Sequence, residues 1–265
     1  MQTLILSALF AGLVAIAVTV AIERWGGVVG GILGTLPTTI VPASIGMYLT
    51  GGLADLETSL ALVPVWMLLN GLFVGAWVVW PRIRGAPSLP EMTAVALGAW
   101  LVLAATLSWL LADHAKFSVG LLGLLVMVGL GLAMTWNAPP APKGTNPVSA
   151  RVLLLRGTAA ATAIGIAVHL SGLGMPLLAG LASVFPAIFL TTMVALWLAQ
   201  GPQVGAGAAG PMMLGGSSVG AYALLAPICI GGYGIVLGTL ICWFGAVACT
   251  SLPAWAWTRW RHNQA

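Results

Sequence analysis

The chain has 265 residues, 60% hydrophobic and only 5% charged, where an ordinary soluble domain carries roughly 25% charged residues. That composition excludes a water-soluble globular protein and makes this an all-α integral membrane protein whose first partner is the lipid bilayer. The net charge of +4 comes from nine basic residues set singly or in pairs at the ends of apolar runs. This scatter excludes the basic patch of a nucleic-acid-binding protein.

Apolar runs of about 20 residues, enough at about 1.5 Å per residue to cross about 30 Å of hydrocarbon, recur from end to end. Hydropathy predicts nine: 3–22, 26–50, 59–80, 91–112, 117–136, 152–171, 174–199, 206–229 and 230–257. The first has no basic residue before it and no cleavage site after it, so it reads as a retained helix rather than a signal peptide. The second contains GGILGTLPTTIVPASIG, in which Pro37 and Pro42 interrupt a helix that lipid should favour. The third is centred on Asn70. After the fifth comes NAPPAPKGTNPVS, a polar, Pro-rich stretch that reads as a cytoplasmic hinge. The seventh is again rich in Gly with a central proline, Pro186, and the eighth carries Ser217 and Ser218 within GGSSVGAY. Cys229, Cys242 and Cys249 stand in apolar sequence with no metal-ligand spacing, so packing is their expected role.

Each interrupted segment reads either as a broken spanning helix or as a re-entrant loop. Charge decides between them. With nine crossings, Arg24, Arg82, Arg84, Lys143, Arg151, Arg156, Arg259 and Arg261 share one face and Lys116 is alone on the other. With two re-entrant segments the split becomes four against five, and the positive-inside bias vanishes. The expected topology therefore has the N-terminus outside and the C-terminal TRWRHNQA in the cytoplasm, in the inner (plasma) membrane.

The two interrupted segments align without gaps at an offset of 149, GGILGTLPTTI from Gly30 on AGLASVFPAIF from Ala179, with Pro37 on Pro186. The same offset places 3–22 on 152–171 and 59–80 on 208–229, and brings the fourth run roughly onto the ninth. An odd number of crossings separates equivalent points, so the expected architecture is two four-helix repeats of inverted topology joined by a linker helix. Residues 1–112 form the first repeat, 113–151 the linker helix and loop, and 152–265 the second repeat with its basic tail. The string LAGLASVFPAIFLTTMVALWLAQG resembles the AG-x-x-x-x-FP signature of the GlpM family of small four-helix bacterial membrane proteins. The resemblance implies a tandem, fused copy of that unit; Leu36 and Pro42 depart from the pattern in the first half. It implies architecture and no activity.

Counting from span ends brings polar groups to one depth. Pro37, Thr38, Thr39, Asn70, Pro186, Thr191, Thr192, Ser217 and Ser218 are the candidate substrate-binding residues, because broken helices in corresponding positions of inverted repeats mark the midplane site of many secondary transporters. Free half-helix N-termini there would favour an anion or carboxylate. The other reading is that the hydroxyls bond back to their own helices and the glycines serve close packing, as Gly27 with Gly31, Gly30 with Gly34 and Gly216 with Gly220. Glu23, Arg24 and Arg156 read as interface anchors that snorkel, and Trp25, Trp80, Trp136 and Trp257 as interfacial belts. Asp113, His114 and His169 supply too few ligands for a metal site, and no cofactor is implied. The expectation is a secondary permease for a small organic anion or neutral solute, with a channel or a membrane scaffold as alternatives. An enzyme is disfavoured, since titratable groups stay at the faces. A homo-oligomer is left open.

Overall fold

The computed structural model describes residues 2–25, 36–136, 150–200 and 205–263. Among these the chain is entirely helical: α1 (Gln2–Trp25), α2 (Ile40–Ala61), α3 (Val63–Arg84), α4 (Leu89–Leu110), α5 (Phe117–Trp136), α6 (Ala150–Gly172), α7 (Pro176–Ser183), α8 (Ala187–Gln200), α9 (Gly205–Ala246), a π-helical turn (Val247–Ser251) and α10 (Leu252–His262). In lipid a helix satisfies its own backbone groups, which is why so apolar a chain takes this form. Among the described residues seven helical stretches are long and apolar enough to cross a membrane. This is a multi-pass membrane protein.

Two of those stretches, Ile40–Arg84 at 45 residues and Gly207–Arg261 at 55, are each longer than the roughly 20 residues one crossing needs. Both are interrupted. Helices α2 and α3 meet at Leu62, and Gly52 within α2 has φ 78. Gly234 within α9 has φ 76 and ψ 175, a left-handed position that a side chain would resist. Gly85 (φ 90) ends α3, and it stands 149 positions before Gly234.

The expected spans shift accordingly. The third runs 63–84 rather than 59–80, the eighth continues to 233, and the helix after the first proline extends to Ala61. The seventh is divided into α7 and α8 by a break at 184–186. Residues 26–35 and 137–149, with Gly27, Gly30, Gly31, Gly34, Lys143 and the hinge, lie outside the described residues, as do the side chains of Glu23, Arg24 and Trp25.

Helix α3 is the centre of the core: Trp66, Met67, Leu69, Asn70, Phe73, Val74 and Trp77 are all buried. Helices α4, α5 and α9 pack around it, and α1 lies against α6. Small residues set the approach. A Cβ added at Gly120 would stand 2.1 Å from Ala61 O, which brings α5 onto the α2–α3 junction.

Helices α1 and α6 run antiparallel: positions 12, 16 and 8 face 161, 157 and 165. The contacts are reciprocal. Ile16 meets Gly157 and Ala8 meets Gly165, and in each case the partner lies 149 positions beyond the other pair's member; Gly12 meets Ala161, its own equivalent. Helices α3 and α9 repeat the arrangement: Gly71 meets Met213 and Pro64 meets Gly220, while Met67 meets Gly216, again its own equivalent.

Candidate functional site at the Pro186 break

Pro186 has no N–H to continue the helix, and the residue before a proline is pushed out of helical conformation. The chain leaves α7 at Val184 (φ −118, ψ 20) and restarts at Ala187. Phe185 N donates to Ala182 O at 3.2 Å and Ala187 N to Phe185 O at 2.7 Å. The Val184 carbonyl is taken by Asn70, whose Nδ2 donates to it at 2.7 Å from α3. A second Asn70 N–H reaches Met67 Sδ at 3.5 Å. Asn70 Oδ1 accepts from Trp100 Nε1 of α4 at 2.7 Å. An indole only donates and a carbonyl only accepts, so the two partners fix which end of the amide faces which. The Trp100 ring stands edge-on to Phe185, centroids 5.4 Å apart.

Asn70 is only 1% exposed, so an unpaired amide there would cost about 1–3 kcal/mol. Its groups are committed to protein partners, and its role as placed is to brace the break. The sequence does carry one signal for Trp100. A tryptophan in the middle of an apolar run cannot serve an interface belt, and its N–H needs a partner inside.

Beyond the break, α8 presents Thr191 and Thr192 to Arg156 of α6. Arg156 Nε donates to Thr191 Oγ1 at 3.3 Å and a terminal nitrogen to Thr192 Oγ1 at 3.0 Å. Thr191 in turn donates to Ala187 O at 2.9 Å, so one hydroxyl both ties down the first turn of α8 and receives the guanidinium. Arg156 therefore does not simply anchor an interface, as its position near a span end predicted; it reaches into the half-buried face of the second broken helix. The guanidinium brings a positive charge to this face of α8, and a positive charge beside hydroxyls suits an anion.

The remaining candidates fall elsewhere. Ser217, buried, donates to Leu214 O at 2.6 Å on its own helix, the back-bonding alternative, and Ser218 is fully buried beside it. Pro37 is buried and Thr38 and Thr39 half-buried; Thr38 N donates to Leu36 O at 2.8 Å, and Thr39 precedes α2 without a side-chain cap bond. The described hydrogen bonds join Asn70 to the Pro186 break and Thr191 and Thr192 to Arg156. They do not join Thr38, Thr39 or Ser217 to either group. A further buried pair links α2 and α9: Ser44 Oγ and Tyr222 Oη lie 2.9 Å apart, and Ser44 also donates to Val41 O at 2.9 Å. Cys229 and Cys242 are buried and free, and Cys249 is exposed. Among the described residues no three His, Cys, Asp or Glu side chains come together as metal ligands.

The chain matches no family model, no curated protein and no solved structure.

Proposed function

We propose that this protein is a small secondary permease that moves a solute across the membrane between two inverted four-helix repeats, each containing a broken helix. The reciprocal, antiparallel contacts of α1 with α6 and α3 with α9 at a constant spacing of 149 carry this reading. Contacts in which i meets j and j's equivalent meets i's are the mark of a two-fold axis, and antiparallel pairing sets that axis across the helices, hence in the membrane plane. Dividing the long stretches at Leu62 and Gly234 is in keeping with nine crossings, as is the cytoplasmic excess of basic residues. A tandem GlpM-like unit in a bacterial inner membrane, with the N-terminus outside, fits the same scheme.

Arg156 with Thr191 and Thr192 favours an organic anion over a neutral solute. The test is flux into liposomes holding the purified protein, across a panel of small carboxylates and neutral solutes. Saturable uptake of a carboxylate, reduced about tenfold or more in Arg156→Gln and in Thr192→Val with folding retained, is the expected result. No flux of any solute would sink the reading. The second reading, a membrane scaffold, is favoured by the mutual satisfaction of Asn70, Trp100 and Val184 O, and a stoichiometric protein partner without flux would select it.

A further inference from the structure

We propose that Asn70 is a one-sided latch, a positioning residue that sets which of two conformations the protein rests in. The inference rests on the inverted-repeat permease reading, in which transport exchanges the shapes of the two repeats. A contact that is its own mirror image survives such an exchange. One that is not must be broken.

The contacts at the Pro186 break belong to the second kind. Asn70 on Val184 O and Phe185 on the Trp100 ring run between the first repeat and the second, and Trp100 holds Asn70 from within the first. Their equivalents 149 positions away are Val219 for Asn70, Cys249 for Trp100 and Leu36 for Phe185. Valine has no donor for a carbonyl, Cys249 is exposed on the outer surface, and leucine has no ring. The exchanged conformation therefore has nothing to put in place of the latch, and Asn70 must give up its carbonyl to reach it. One buried hydrogen bond of this kind biases an equilibrium by roughly tenfold. The present conformation is the resting one because the side chains at these equivalent positions differ.

Backbone hydrogen exchange on the full-length protein in lipid nanodiscs tests this. Asn70→Val should speed exchange of the Val184–Leu190 amides roughly tenfold. Trp100→Phe, which keeps a ring against Phe185 but removes the N–H that orients the amide, should speed it less. Adding Val219→Asn to Asn70→Val supplies the donor on the other side, and should slow exchange in the segment around Pro37. Unchanged exchange in both first-repeat variants would overturn the latch while leaving the permease reading to the flux assay; Trp100→Phe decides alone should Asn70→Val not fold. Faster exchange at Pro186 without any slowing by Val219→Asn would overturn the one-sided exchange. The expected exchange pattern in a protein without flux would support the latch and remove the permease.

Discussion

At the scale of single residues, close approach and polar satisfaction make opposite demands on the same interior. Gly120 admits no side chain, since its Cβ would stand 2.1 Å from Ala61 O, whereas a Cβ at Gly98 meets nothing within 4 Å. Gly120→Ala should therefore destabilise the protein by about 1–3 kcal/mol through overpacking, and Gly98→Ala should leave it unchanged or slightly more stable. Thermal unfolding of the purified variants checks both, and equal midpoints would contradict the packing. The Ser44–Tyr222 pair is a test of satisfaction. Tyr222→Phe leaves Ser44 donating to Val41 O, so it should cost about 1 kcal/mol. Ser44→Ala takes one partner from the buried Tyr222 hydroxyl but leaves Cys242 and Thr239 beside it, so it should also cost about 1 kcal/mol. A much lower unfolding midpoint in Ser44→Ala than in Tyr222→Phe would show that neither Cys242 nor Thr239 serves the hydroxyl.

At the scale of elements, the break between α7 and α8 is a cost maintained by one imino acid. Pro186→Ala restores the missing N–H, letting the helix run through 184–186 and giving Val184 O a partner in its own backbone. The variant should unfold a few degrees higher, since a proline in a helix interior costs about 3 kcal/mol and 1 kcal/mol moves a midpoint by about 2–4 °C in a chain of this size. It should also lose flux, because the freed carbonyl and the Arg156 face of α8 are reorganised. Higher stability with full flux would separate the break from transport. Much of this element was legible in the sequence: the position of Pro186, its alignment with Pro37 and the apolar length of the flanking runs all point to a broken span. The partner of Asn70 was not, because periodicity and composition place residues at a depth but do not say which way a helix is turned. The partners of Arg156 are hidden from the sequence for a related reason. Its distance from a span end suits an anchor, and only the packing of α6 on α8 shows hydroxyls within its reach.

At the scale of the whole molecule, the reciprocal contacts predict what can be joined without stopping the cycle of the proposed permease. The Cβ of Ala8 lies 3.5 Å from the Cβ position of Gly165, within the spacing of about 3.5–4.5 Å that a disulfide bridges. In a background with Cys229, Cys242 and Cys249 replaced by alanine, Ala8→Cys with Gly165→Cys should cross-link within one chain. The cross-link reports the antiparallel pairing of α1 with α6; a parallel pair would put those residues a helix length apart. Its effect on flux then bears on mechanism. On the proposed permease reading, an exchange of shapes between the repeats would put the contact of Ala8 with Gly165 in the place of that of Ile16 with Gly157, and both already exist in the present conformation. The bridge therefore lies near the axis, where exchange moves least, and the oxidised protein should keep most of the flux of the reduced one. A bridge that formed fully and abolished reductant-reversible flux would mean that α1 and α6 slide against each other, and rocking about an axis between them would have to be given up. Survival of flux in the cross-linked protein, together with its loss in Pro186→Ala, would place the moving parts at the broken helices and the fixed parts at the glycine-lined seam.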